Sequence, residues 1–249
     1  MGVVSCVAPL SALRRAVFGM LVVVGLGGCA AAPGAHPRDP LEKFNRDVFV
    51  FNEAADRLAL RPAAIAYRDM VPSPLRYGIA NFFGNLEDVW SFANSAMQLR
   101  LQSATDNFMR VSINTVLGLG GTFDLAKGMG IERRREDFGQ TLGRWGVPTG
   151  PYLVLPLLGP STLRDTLGLV VDMRGDIASY IDHVPTRNTL KAIDLIDLRA
   201  GLLSVTNALD EVALDKYSFA RDAFLQRRRN AIFDGDPPEE DAEGKPITR

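Results

Sequence analysis

The stretch LRYGIANFFGNLEDVWSFANSAMQLRL, residues 75–101, decides the fold class. Leu75, Ile79, Phe82, Phe83, Leu86, Trp90, Ala93 and Met97 recur at the three- and four-residue spacing of a helix with one apolar face. Asn81, Asn85, Glu87, Asp88, Ser91, Asn94 and Gln98 fill the opposite face. The pattern fixes a long helix but not which face turns inward. In most soluble proteins the apolar stripe lines the core.

The flanking segments read the same way. Asp39-Pro40-Leu41-Glu42 combines an N-cap, a proline at the first helical position and a glutamate three residues after the cap. Leu41, Phe44, Val48, Phe51, Ala55 and Leu58 follow at helical spacing. Another helix is expected from near Ser103 to Leu117, stopped by Gly118 and Gly120-Gly121. Helix signals return at Ser161, over Thr186 to Asn207 and over Lys216 to Phe233. Between Glu136 and Gly159 the pattern fails. Gly143, Gly146, Pro148, Gly150, Pro151, Pro156 and Gly159 exclude a regular helix, while Trp145, Tyr152, Val154 and Leu155 make the stretch too apolar for a solvated loop. The expectation is a mainly α fold, with five to seven helices around one irregular Gly/Pro-rich loop and little strand.

The ends have their own logic. Arg14 and Arg15 precede an apolar run from Ala16 to Leu26, which closes on Gly27-Gly28-Cys29. A basic region, a short apolar region and a small-residue cleavage site make a secretory signal. With cysteine first in the mature chain, it resembles a bacterial lipoprotein signal, and Cys29 would carry the acyl chains. A transmembrane helix from Ala16 to about Ala32 would barely reach the ~18–20 residues of a span. Ala30 and Ala31 place no aspartate after the cysteine, which by resemblance to Gram-negative signals points to the outer membrane. The organisation expected is a signal peptide over 1–28, a flexible tether over 29–38, one helical domain over 39–233, and a disordered acidic tail over 234–249.

The whole chain carries 28 basic and 29 acidic side chains. Arg14 and Arg15 leave with the signal, so the mature chain is slightly acidic and no overall basic field suggests a nucleic-acid partner. Cys29 is then the sole cysteine, and no intrachain disulfide can form. Enzymatic signals are missing. His36 and His183 are the only histidines, and neither a His-Glu-x-x-His motif nor a Gly-x-Ser-x-Gly elbow occurs. Gly118 to Gly121 lacks the lysine of a phosphate loop, and Arg227-Arg228-Arg229 reads as a solvated helix end. No catalytic residue, metal ligand or cofactor is expected.

A series of motifs carries a family resemblance. It runs through Asp39 to Arg46, Phe51-Asn52, Val71-Pro72 to Arg76, Asn81 to Leu86, and Asn114 to Gly121 with Asp124. It continues through Asp137 to Gly143, Gly150-Pro151-Tyr152, Leu155 to Pro160 with Arg164-Asp165, Asp215-Lys216-Tyr217 and Ala223-Phe224. In this order and spacing, over about residues 39–230, the chain resembles the MlaA (VacJ) family. The resemblance implies an outer-membrane lipoprotein whose helices form a ring lying in the membrane around an amphipathic channel. Mislocalised phospholipids of the outer leaflet would pass through it to a periplasmic carrier, MlaC, and lipid asymmetry would be maintained. A trimeric porin is the implied neighbour.

The resemblance also singles out residues for control of the path. Val50, Phe51 and Asn52 fall where the family's first helix approaches the channel, although Phe51 at its spacing equally fits a core residue. Gly143, Gly146, Pro148 and Gly150 fall in a glycine-rich hairpin whose flexibility the family links to transport. Gly146-Val147-Pro148 departs from the family's Gly-Val-Gly, and proline fixes φ near about −65°, which stiffens such a hinge. The family often has proline near Asp88 or Val89, and its absence here lengthens the helix. Two alternatives remain at this level: a structural lipoprotein that scaffolds a porin complex without passing lipid, and a lipid-modifying enzyme such as a phospholipase.

Overall fold

A computed structural model describes residues 36–239. Cys29, the signal over 1–28, most of the tether and residues 240–249 of the tail lie outside the described residues.

Helix α1 (Glu42–Ala55) runs through a π-turn (Asp56–Leu60) into α2 (Arg61–Met70). The long helix α3 (Ser73–Met97) and α4 (Leu101–Val116) form an antiparallel pair, followed by the short α5 (Leu125–Gly128) and α6 (Phe138–Arg144). Strands β1 (Tyr152–Leu155) and β2 (Gly159–Thr162) pair antiparallel, with Tyr152 opposite Thr162 and Leu155 opposite Gly159. Then come α7 (Leu163–Gly175), a 3₁₀ turn (Ile177–Tyr180), α8 (Val184–Gly201), α9 (Leu203–Val212) and α10 (Lys216–Ile232). The packed pairs close on themselves. α2 packs on α8, α8 on α3, α3 on α6, α6 on α10, α10 on β2, and β1 on α1.

Several expectations change. The helices outnumber the five to seven anticipated, because α5 and α6 are short and the 186–207 pattern breaks at Leu202 into α8 and α9. Ser161 lies in β2 rather than starting a helix, and Thr162 caps α7 by accepting from the Asp165 amide. The 136–159 stretch holds α6 and β1, so it is less irregular than its glycines and prolines suggest. Asp39 does not cap α1. Leu41 stands at the cap position without a side-chain bond, and Asp39 is buried, accepting from the Asn45 amide and the Tyr217 hydroxyl.

The polarity of the fold is the reverse of the soluble-core reading. Among the described residues 12 buried side chains are apolar and 21 are polar or charged, so apolar burial cannot be what organises this interior. On α3 the buried positions are Gly78, Phe83, Gly84, Asn85, Asp88, Ser91, Asn94 and Ser95, mostly the polar face of the sequence pattern together with two glycines. Apart from Phe83, the apolar stripe faces outward or sits half-buried. Phe44, Phe51 and Leu58 of α1 and its extension, two turns apart, are all more than half exposed, as are Leu101 and Phe108 of α4.

Hydrogen bonds and close backbone approach hold the inside instead. Arg110 of α4 is fully buried. Its Nε donates to Asp88 Oδ2 at 3.1 Å, its Nη1 to the Ile131 carbonyl at 2.7 Å, and its Nη2 to both oxygens of Asp124 at 3.0 and 2.9 Å. Burial pushes the Asp124 carboxyl up, but Arg110 and Asn114 outweigh it and leave it below its ordinary value. The extended segment Ile131–Asp137 is threaded beside α3 and α4, and side chains satisfy its backbone. Asn107 donates to the Arg134 carbonyl at 3.0 Å, and the Glu136 amide donates to Ser91 Oγ at 3.2 Å. Where α6 and α7 cross, a Cβ on Gly168 would lie 2.6 Å from the Gly139 backbone nitrogen, so the position tolerates no side chain.

Replacing Arg110 by leucine leaves the buried Asp88 with Arg133 as its remaining cation and the half-buried Asp124 with none. The expected loss is about 3–5 kcal/mol, the cost of breaking a buried ion pair. Thermal unfolding of the detergent-purified protein checks it, with the exposed Val205→Ala unchanged beside it.

Candidate functional site

Two asparagines, seven residues apart and so on one face of α1, bind the free edge of β1. Asn45 Nδ2 donates to the Tyr152 carbonyl at 3.0 Å, and the Val154 amide donates back to Asn45 Oδ1 at 2.9 Å. Asn52 repeats the exchange at the turn, donating to the Leu155 carbonyl at 2.9 Å and accepting from the Leu157 amide at 2.7 Å. The Tyr152 amide donates to the Arg38 carbonyl at 2.9 Å, so a residue assigned to the tether completes the edge. Each amide side chain offers a donor and an acceptor, which matches what an unpaired strand edge presents. Behind this seam Tyr152, Val154, Tyr217 and Leu225 form an apolar cluster joined by Val48, Phe49 and Phe224.

Gly143, Gly146, Pro148 and Gly150 line one cleft of about 660 Å³, between the loop 146–151, the start of α7 and the end of α10. Gly146 and Gly150 have φ of +90° and +69°, the left-handed region that favours glycine. The loop is docked: the Leu163 amide donates to the Pro151 carbonyl at 3.0 Å, and Trp145 Nε1 to the Met97 carbonyl at 3.1 Å. Arg228, expected at a solvated helix end, is mostly buried here. Its guanidinium binds Asp137, which caps α6, and reaches Asp165 Oδ2 at 3.0 Å in the first turn of α7. The carboxylates are scattered in sequence, so the pairing has no sequence signal.

A second cavity, about 420 Å³, opens between α3, the 135–137 segment, α7, the 3₁₀ turn and α8. Phe83, Leu86, Trp90, Leu169 and Ile177 form an apolar wall, and Glu87, Arg135, Asp176, Lys191 and Asp194 supply charge of both signs. Trp90 Nε1 donates to Asp172 Oδ1 at 2.7 Å and the Phe138 amide donates to the same oxygen at 2.8 Å. Arg135 pairs with Glu87 at 3.2 Å and Lys191 with Asp176 at 3.0 Å. Burial, then Glu87, Asp197 and Asp176, push the Asp194 carboxyl up to about 6, against a smaller opposing pull from Arg135. The cavity can take a molecule with apolar chains and a charged head. Among the described residues no group of three or more His, Cys, Asp or Glu side chains is placed to hold a metal ion.

The profile of the MlaA lipoprotein family matches residues 37–231. The chain belongs to that family. Proteins named intermembrane phospholipid transport system lipoprotein MlaA from Escherichia coli K12 and Haemophilus influenzae are 37% and 34% identical to it, over 209 and 230 residues. These matches cover 81% and 87% of this chain, and 82% and 89% of the relatives. An uncharacterized protein of Rickettsia bellii is 34% identical over 195 residues, covering 78% of this chain and 76% of that relative. A solved structure, presented as the structural basis for maintenance of bacterial outer membrane lipid asymmetry, aligns with a TM-score of 0.69 at 37% identity, covering 78% of this chain and 98% of that one. The mainly α fold is common to both.

The structure links the two sets of residues singled out from sequence without merging them. Asn52 grips the turn end of β1, and Gly150 precedes its other end. Val50 and Phe51 are exposed, so Phe51 is not a core residue. None of the seven lines the cavity beside Trp90. Sequence reading missed Asn45 and Asp194. Asn45 was legible as a polar residue seven before Asn52, whereas Asp194 gave no signal.

Asn52→Ala leaves the Leu155 carbonyl and the exposed Leu157 amide to water, an expected cost of about 0.5–1.5 kcal/mol. Amide hydrogen exchange should quicken locally at Leu157 and around the hairpin turn, with the protection of α4 unchanged.

Proposed function

We propose that this chain is an outer-membrane lipoprotein that provides a passage for phospholipids misplaced in the outer leaflet and hands them to a periplasmic lipid carrier of the MlaC kind. The observation that carries this reading is the reversed polarity. Many large apolar side chains face outward, while the buried positions of α3 and α4 are mostly polar. Such a surface is soluble in acyl chains, and helices enter a bilayer because their backbone bonds are satisfied internally. No helix among the described residues is long and apolar enough to cross a membrane. The body therefore lies within a leaflet as a ring of short helices rather than as spans. The names of the relatives, intermembrane phospholipid transport lipoproteins, support the same reading.

Cys29, exposed by removal of residues 1–28, anchors the chain by its acyl groups. Each buried CH₂ contributes about 0.8 kcal/mol, and stable attachment takes more than one chain. The anchor then orients a body that already has its own affinity for the leaflet. The 29–38 tether leads to β1 through the Arg38 carbonyl, and the 234–249 tail follows α10. Transfer needs no local energy source, because a carrier with higher affinity draws the lipid onward. Val50, Phe51 and Asn52 on α1, Gly143 near the end of α6, and Gly146, Pro148 and Gly150 in the docked loop control the passage, with Asn52 and the loop both joined to the hairpin. A trimeric porin is the neighbour in the membrane.

The test is the outer-leaflet phospholipid content of cells lacking the protein, read by an enzymatic surface label. Surface phospholipid should rise and fall again when the wild-type chain is restored. Unchanged surface lipid sinks the channel reading. Porin association without restored asymmetry establishes a scaffold in its place, and release of free fatty acid by the purified protein establishes a phospholipase.

A further inference from the structure

The carboxylates lining the cavity beside Trp90 can be accounted for one by one. Glu87 is held by Arg135 at 3.2 Å, and Asp176 by Lys191 at 3.0 Å. Asp172 accepts from the Trp90 indole and the Phe138 amide. Glu136 receives Arg100 Nη1 at 2.7 Å and Gln98 Nε2 at 3.0 Å, and Asp137 is held by Arg228. Asp194 is the remaining one. No donor reaches it among the described residues, and it stands half-buried on α8. Its charged neighbours are Glu87, Asp197 and Asp176, with Arg135 the opposing cation.

A carboxylate facing a cavity without a donor, beside an aromatic wall, is a receptor for a cation. Trp90 and Phe83 are the aromatics of that wall, and indole is the ring that attracts ammonium groups most strongly. The Trp90 ring is fixed, because Gly175 packs so closely that a Cβ there would lie 2.3 Å from it. Lys191 and Arg135, though paired, stand in the same cavity and can share an anionic phosphate. The cavity thus offers apolar surface, cationic groups and one unpartnered anion, which are the parts of a zwitterionic phospholipid in complementary form. An anionic headgroup that ends in hydroxyls brings no positive charge to Asp194, and the surrounding carboxylates repel it.

We propose that Asp194 is a headgroup-selecting residue, and that the cavity prefers phospholipids with an ammonium headgroup over anionic ones such as phosphatidylglycerol. This inference rests on the phospholipid-passage reading above. Asp194 supplies the hydrogen-bond acceptor and charge for the ammonium, while the aliphatic and aromatic wall takes the start of the acyl chains without regard to headgroup.

Full-length protein in mild detergent is titrated with dihexanoyl phosphatidylethanolamine and dihexanoyl phosphatidylglycerol below their micelle concentrations, and binding is read by native mass spectrometry. The wild-type protein should favour the ethanolamine lipid by roughly tenfold, the contribution of one hydrogen bond to a charged group. Asp194→Asn should erase most of that preference by weakening ethanolamine binding alone, and Asp194→Glu should retain it. Equal affinity of the wild-type protein for both lipids overturns the inference and leaves the passage reading standing. An unchanged preference in a folded Asp194→Asn protein overturns it as well. Binding of neither lipid by the wild-type protein overturns the passage reading, and the selectivity with it. The comparison of two lipids on the wild-type chain needs no variant to fold.

Discussion

One buried guanidinium determines how the centre of this molecule is put together. Arg110 reaches from α4 to Asp88 on α3, to the Ile131 carbonyl and to Asp124 before α5, so a single side chain fixes three otherwise separate segments. Here the outer faces carry many of the large apolar residues, and under the proposed function, with lipid around the helices, packing apolar groups inward would gain little. A directional, charge-assisted network supplies the specificity that jigsaw packing supplies elsewhere. Such networks are costly when incomplete, which is why the side chains around it are themselves bonded: Arg133 to Asp88, Asn114 to Asp124, and Asn107 to Ser95.

The same logic extends to the hairpin. A two-stranded sheet alone is marginal, and β1 would present an open edge. Asn45 and Asn52 convert the edge into part of the helix–strand seam, while Tyr217 and Arg221 of α10 close on Asp39 from the other side. Chain segments far apart in sequence, before α1, after α6 and on α10, therefore meet at one small sheet. The hairpin is bonded to α1 through the Asn52 amide and continues into α6 and α7 through the loop at Gly146 to Pro151 and β2. In the proposed function this bonding connects α1 to the path of the lipid.

The two cavities differ in character for a physical reason. In the cleft beside the 146–151 loop Arg164 and Arg228 are bound to Asp165, and Arg228 also to Asp137, so that charge is internal scaffolding. In the cavity beside Trp90 the pairs are more exposed, and among the described residues Asp194 has none. Exposed pairs contribute little stability, which leaves their charges available to a ligand. A site that must hold a lipid only briefly is better served by such groups than by a fully satisfied network.

By itself, the sequence determined the mainly α class, most of the helices and the family, while the lipoprotein-like leader it suggests lies outside the described residues. These rest on local properties: spacing of apolar residues, glycine and proline, and motif order. α3 and α10 came out close to their expected bounds because their patterns are long. Local pattern could not say which face of α3 turns inward, since an amphipathic helix reads the same in water and in lipid. It could not show Asp39 leaving its cap position for Tyr217, or Arg228 leaving solvent for two aspartates, because those partners lie on other elements. Asp194 is one acidic residue among many along the chain, and only the packing of α8 against α3 and the 3₁₀ turn places it in this cavity, where among the described residues no donor reaches it. Tertiary structure decided the polarity, the seam and the cavity because each is a relation between elements, and a relation across space leaves no period in the chain.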